Sequence, residues 1–184
     1  IPPPKRGARG RSALFVHIKT DERKVEGLGI GTGLRAIQAV IEDNLKDLLV
    51  GQDPFNTEKL WNDMFWRVRG YGRKGIAFQA ISAIDIGLWD LKAKALGQPL
   101  YRLLGPYQES VPVYGSGGWT NFSQAELIKE QMAYVERGFP RIKMKVAKDF
   151  GQAEREDVAR LKAVRTAAGD DVELFVDANN GYYA

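Results

Sequence analysis

The sequence predicts an α+β domain followed by the opening strands and helices of a parallel β/α domain, and three observations carry that prediction. Apolar alternation on either side of a polar turn, at 13–20 and 25–31, gives way to helical periodicity that runs to Gly97. From Val111 onward strand and helix patterns alternate, with strands recurring about every 30 residues, the length of a βα unit in a parallel barrel or doubly wound sheet. Two of those later strands end in residues that carry chemistry: Arg-Ile-Lys-Met-Lys-Val at 141–146 and Val-Asp-Ala-Asn-Asn-Gly at 176–181.

Taken in order, Ala13 to Thr20 and Val25 to Gly31 form an antiparallel hairpin about a turn at Asp21 to Lys24. Leu34 to Leu49 carries Ile37, Ile41 and Leu45 at helical spacing, and Thr57 to Val68 forms a second helix. A third runs from Phe78 to Leu96, closed by Gly97 and by the Gln98-Pro99 step that a helix does not cross. Val111 to Gly115 is then a short strand, and Ser123 to Gly138 a helix with Ser123 as N-cap and Glu126 at the capping-box position. Arg141 to Val146, Gln152 to Ala168 and Asp171 to Asp177 complete a strand, a helix and a third strand. Three parallel strands do not close a barrel, which takes eight βα units and about 250 residues. The chain therefore reads as truncated.

Strand geometry gives the two polar motifs a common direction. Side chains alternate, so Lys143 and Lys145 share one face while Ile142, Met144 and Val146 share the other; Asp177 and Asn179 likewise share a face. One face then collects the polar groups. The 32 residues from Lys145 to Asp177 leave room for a crossover helix between neighbouring parallel strands, which would aim ammonium and carboxylate into one space. An isolated Lys-x-Lys strand usually marks a solvated face, but a parallel barrel covers both faces of its strands. Asp-Ala-Asn-Asn-Gly in isolation is a turn; directly after Glu173-Leu-Phe-Val it stands at a strand's C-terminal end, where barrel enzymes hold ligands.

Composition narrows the classes. A chain of 184 residues with 44% hydrophobic content buries a sizeable core, and no apolar run reaches membrane-span length, so no membrane partner is expected. Its start, Ile1-Pro-Pro-Pro, has neither an initiator Met nor a signal-peptide plan and reads as trimmed. The lack of cysteine excludes disulfides and thiolate metal sites and fits a reducing cytoplasm, while the lone His17, a structural strand residue, cannot form a histidine metal cluster. Net charge is only +4, and its one basic run, Lys5 to Arg11, lacks interleaved aromatics or a known module, so no nucleic-acid partner is expected.

These residues resemble the enolase superfamily, specifically its mandelate racemase and muconate lactonizing enzyme branch. The likeness rests on the stretch from Gln79 to Gly105 with its Ala-Ile-Asp-Ile-Gly-Leu-Trp-Asp-Leu-Lys, on the Lys-x-Lys strand and on Val176-Asp-Ala-Asn179, in this order and spacing. It implies an α+β capping domain at 1–107 followed by the first part of a parallel (β/α) TIM-type barrel at 108–184. It also implies a homo-oligomer. By motif position Lys145 becomes the catalytic base, Lys143 its partner near the substrate carboxylate, and Asp177 the first of three carboxylate ligands to Mg2+. The other ligands and an opposite-face base are expected beyond Ala184. Asn179, Tyr114 and Ser116 are candidates to touch substrate or support those groups.

Such a site suits removal of a proton α to a carboxylate. The enediolate product carries two negative charges on one small group and needs close cationic charge in a water-poor site. Free lysine, with a pKa near 10.4, is neutral in roughly one molecule in a thousand at neutral pH, and neighbouring positive charge raises that fraction. The expected activity is thus an Mg2+-dependent lyase or isomerase acting on a small-molecule carboxylate, with acid-sugar dehydration the narrower reading. Racemase, dipeptide epimerase and cycloisomerase stand as alternatives, as does a non-catalytic carboxylate-binding relative.

Other polar and aromatic residues take quieter readings. Asp85 and Asp90 resemble an acid pair, but Asp90 is placed for Lys94 one turn on. Gly115 to Gly118 lacks the spacing of a phosphate loop and reads as a tight turn, and Trp61, Phe65, Trp66 and Trp89 read as core. Arg6, Arg9, Arg11 and the Arg67 to Lys74 segment suit carboxylate recognition or plain surface solubility.

Overall fold

The computed structural model describes residues 12–21 and 25–182, in two compact units, Ile1–Tyr107 and Gln108–Ala184. The basic run at 5–11, and most of the predicted turn at Asp21 to Lys24, lie outside the described residues.

In the first unit β1 (Ala13–Lys19) pairs antiparallel with β2 (Glu26–Thr32), Ala13 opposite Thr32 and Lys19 opposite Glu26. Leu14, Val16 and Ile18 turn inward, opposite Gly31, Gly29 and Gly27, so one strand supplies the side chains and the other bare backbone. That bareness lets a helix approach: a Cβ on Gly29 would lie 1.8 Å from the Ala83 carbonyl oxygen. His17, opposite Leu28, faces outward as an exposed strand residue.

Four helices follow. Instead of one uniform helix at 34–49, α1 (Arg35–Val40) runs on into a π turn at Ile41–Leu45 and a 3-10 turn at Lys46–Leu48. Ile37, Ile41 and Leu45 recur every four residues, slower than the 3.6 of an α-helix, and the wider turn keeps all three inward. α2 (Thr57–Arg67) buries Leu60 and Met64. α3 (Gly75–Ala95) starts three residues before Phe78 because Ala77 already belongs to its buried stripe with Ala80, Ile81, Ile84, Leu88 and Leu91. The predicted stop holds: Gly97 is left-handed at φ 63°, and the Gln98 N–H returns to the Ala93 carbonyl at 3.0 Å. α4 (Leu100–Leu103) is a single turn.

Asp90 accepts from the Leu28 N–H at 2.8 Å and the Lys94 ammonium at 2.6 Å, which ties the hairpin to α3. Trp61 packs against the core and stacks on Phe65, but Trp66 is exposed and carries the Arg73 guanidinium 4.4 Å above its ring. Arg67 is engaged by Asp47 and the Asn44 carbonyl.

The second unit is a parallel sheet in the order β3-β4-β5, with β4 (Arg141–Lys145) between β3 (Gly115–Ser116) and β5 (Glu173–Asp177). The predicted strand from Val111 shrinks to two residues. Only Gly115 and Ser116 meet β4, opposite Ile142 and Lys143, and Pro112 upstream has no N–H to give a ladder. α5 (Gln124–Glu136) has the predicted capping box: Ser123 Oγ accepts from the Glu126 N–H, and Glu126 accepts from the Ser123 N–H at 2.8 Å. α6 (Glu154–Ala168) begins two residues after Gln152, because Lys148–Gly151 first winds into a tighter turn. Both helices pack on one side of the sheet over Ile142, Met144, Leu127 and Val164, all fully buried. Among the described residues no helix is long and apolar enough to cross a membrane.

Candidate active site at the strand ends

The opposite side of the sheet bears the lysines. Lys143 and Lys145 lie opposite Phe175 and Asp177 in the β4-β5 register, and residues paired in register share a face. Both ammoniums converge on one oxygen: Lys143 Nζ donates to Asp177 Oδ2 at 3.0 Å and Lys145 Nζ at 2.5 Å. Lys145 Nζ also donates to Asn179 Oδ1 at 2.9 Å. Asn179 arrives there by a turn, not by strand alternation. The strand ends at Asp177, whose Oδ1 accepts from the Asn179 N–H at 2.9 Å, and Asn179 and Asn180 take left-handed φ of 46° and 58°.

This face is less uniformly polar than the alternation suggests, since Phe175 stands beside Lys143. Tyr114, upstream of the paired residues of β3, meets Phe175 edge-on with ring centres 5.7 Å apart, and its ring centre lies 5.8 Å from Lys143 Nζ. Ser116 is Lys143's register partner on β3, and its carbonyl accepts from the Tyr134 hydroxyl. Trp119 was not foreseen. Its ring centre lies 5.7 Å from Lys145 Nζ, so each lysine has an aromatic neighbour.

The charges set one another. Hydrogen bonds from Lys145, the Asn179 N–H and Lys143 hold the Asp177 carboxyl far below the usual carboxylate range. Burial alone would depress Lys143, which is 9% exposed, but its hydrogen bond to Asp177 and the charge of that carboxylate outweigh burial and raise it. Lys143 is therefore an ammonium at neutral pH beside an ionised Asp177.

Two loops frame it. After β3 the ladder continues, with Gly117 N–H donating to the Lys143 carbonyl and Lys145 N–H to the Gly118 carbonyl, both at 3.0 Å. Glu130 accepts from the Gly118 N–H at 2.5 Å. After β4, Ala147, Asp149 and Phe150 take φ of 62°, 49° and 58°, a strained run costing about 1–2 kcal/mol for each residue. Buried Asp157 of α6 braces it by accepting from the Lys148 N–H at 3.1 Å and the Tyr182 hydroxyl at 3.1 Å. That hydroxyl in turn accepts from the Ala147 N–H.

The profile described as "Mandelate racemase / muconate lactonizing enzyme, N-terminal domain" matches residues 6–105, and "Enolase C-terminal domain-like" matches residues 126–184. The chain belongs to the mandelate racemase/muconate lactonizing enzyme family of the enolase superfamily. Among members of this family it is 43% identical over 151 residues to the L-talarate/galactarate dehydratase of Salmonella typhimurium, covering 81% of this chain and 36% of that one. It is 39% identical over 164 residues to the 3,6-anhydro-alpha-L-galactonate cycloisomerase of Streptomyces coelicolor, covering 86% and 44%. The crystal structure of L-talarate dehydratase from Polaromonas sp. JS666, complexed with Mg and L-glucarate, superposes with a TM-score of 0.81 at 37% identity, covering 94% and 48%. The chain thus spans less than half the length of these family members.

Proposed function

We propose that the protein containing this chain is a magnesium-dependent enzyme of the enolase superfamily that removes the α-proton of an acid sugar and eliminates water. One observation carries the reading: two lysines from one strand and a carboxylate from the next meet at the strand ends, held within hydrogen-bonding distance. On this reading residues 1–107 are the capping domain, residues 108–184 open the barrel, and the working form is a homo-oligomer in a reducing cytoplasm.

Lys145 takes the proton when its amine is neutral, and Lys143, kept charged beside it, faces the substrate carboxylate. The electron pair left on the α-carbon moves into the carboxylate as an enediolate. Its return expels the β-hydroxyl, which leaves as water on receiving a proton, and the enol becomes a 2-keto-3-deoxy acid. Asp177 fits a hard cation: it is an anionic oxygen donor that stays ionised, with the Asn179 amide oxygen nearby. Among the described residues no three His, Cys, Asp or Glu gather as a metal site, so Asp177 is one ligand and the reading requires others from outside them. When bound, magnesium supplies the Lewis-acid charge that stabilises the enediolate.

The test is to incubate the full-length protein with magnesium and a panel of talarate, galactarate and arabinonate, and to follow the keto acid by semicarbazone absorbance and NMR. Magnesium-dependent keto acid is the expected result. An epimeric acid formed without loss of water transfers the protein to the racemase reading, and a keto acid formed only when a 3,6-anhydro acid or a lactone is added to the panel transfers it to the cycloisomerase reading, which the Streptomyces relative favours. Binding without turnover or α-proton exchange for any acid in the panel would overturn the enzymatic reading.

A further inference from the structure

α6 turns two charged residues inward. Asp157, Arg160 and Val164 form its buried stripe, and Arg160 is only 3% exposed. A buried guanidinium normally finds a carboxylate, because an uncompensated cation in the interior is costly. Arg160 instead gives its protons to the carbonyls of one loop: Nη1 to Phe122 at 2.8 Å, Nη2 to Trp119 at 2.9 Å and to Gly118 at 3.3 Å. Its Nε has no hydrogen-bond partner in the structure. Covering the sheet needs none of this, and an apolar side chain would serve that purpose better.

What the loop holds explains the arrangement. The Gly118 carbonyl that accepts from Arg160 also accepts from the Lys145 N–H, so one oxygen joins the guanidinium to the backbone of that lysine. The Trp119 carbonyl anchors the residue whose ring borders Lys145 Nζ. Backbone and side chain of Lys145 thus both rest on a segment that Arg160 fastens from beneath the sheet.

We infer that Arg160 is a positioning residue for Lys145, acting through the Gly118–Phe122 loop to fix where the lysine amine stands. This rests on the proposed role of Lys145 as base. Misplacing a reacting group by about 1 Å can cost on the order of a hundredfold in rate, so the effect is measurable. It should also be confined to one face of the substrate, because an opposite-face base would not depend on this loop.

The experiment uses the full-length protein with Arg160→Met, Arg160→Lys and Lys145→Ala. Its readouts are α-proton exchange in D2O on α-hydroxy acids of each configuration and amide hydrogen exchange across residues 117–124. For Arg160→Met, exchange on the face lost in Lys145→Ala should fall at least about tenfold. The opposite face should stay within about twofold, and amide protection should drop at 117–124 and at the Lys145 N–H but not across residues 141–144 of β4. Arg160→Lys, which reaches fewer of the three carbonyls, should fall between Arg160→Met and the parent, and it decides the matter if Arg160→Met does not fold. Equal losses on both faces, or a parent-like rate on the Lys145 face in Arg160→Lys, would overturn the inference. If Lys145→Ala itself exchanges normally on both faces, the base assignment fails and this inference falls with it.

Discussion

Replacing Gly118 by alanine tests the packing that sets the lysines in place. Gly118 is left-handed at φ 68°, and a Cβ there would lie 2.5 Å from Met144 Cβ, 2.8 Å from Met144 Cα and 3.0 Å from Leu127 Cδ1. Met144 and Leu127 are fully buried and have nowhere to retreat, so overpacking costs about 1–3 kcal/mol. Left-handed backbone adds about 1 kcal/mol, for a total of about 2–4 kcal/mol. Gly138→Ala separates the two contributions. Gly138 is also left-handed, at φ 86°, but a Cβ would meet nothing within 4 Å, so it should cost only about 1 kcal/mol. Urea unfolding of both variants of the full-length protein gives the difference. Since Met144 stands between Lys143 and Lys145, its displacement moves both, and turnover in Gly118→Ala should fall at least about tenfold while Gly138→Ala keeps it. Equal destabilisation by the two variants would refute the close packing of this loop on β4.

Asp177→Asn replaces an anionic oxygen by a neutral amide and should weaken magnesium binding about tenfold or more, read by titration calorimetry; unchanged affinity would remove Asp177 from the ligands. Asp85→Asn concerns the first unit, where burial and then Glu58 raise the Asp85 carboxyl above its ordinary value. A raised acid is penalised when ionised, so the penalty is absent below the ordinary carboxylate range and complete above the raised value. The variant should therefore raise the urea midpoint at pH 7–8 and leave it unchanged near pH 3, and an equal shift at both would contradict the cause.

What the sequence disclosed and what it hid follow from the range of the interactions. The Ser123–Glu126 cap, the Gly97 stop and the strand carrying Lys143 and Lys145 are local, set by residues a few positions apart, and they read directly. The π turn after Val40 was masked because a four-residue apolar spacing also satisfies an α-helical pattern. The strand at Val111 was over-extended because β-forming side chains do not reveal whether a neighbouring strand lies opposite. Glu130, Asp157, Arg160 and Tyr182 act over 9 to 42 positions of chain through backbone groups, and Trp119 through its ring beside the Lys145 side chain, and such contacts leave no motif. One signal was present: Asp157 and Arg160 occupy positions of the α6 stripe where the period calls for apolar side chains, and charge at such positions marks a buried polar contact.

The central claim, that Lys145 moves the α-proton beside Lys143 and Asp177, is tested most directly by deuterium incorporation. Parent and Lys145→Ala full-length proteins, both shown to be folded, are incubated with magnesium in D2O and α-hydroxy acids of each configuration, and the α-position is followed by NMR. The account predicts that the parent exchanges and that Lys145→Ala loses exchange on one face of the substrate. Undiminished exchange on both faces in Lys145→Ala would contradict it.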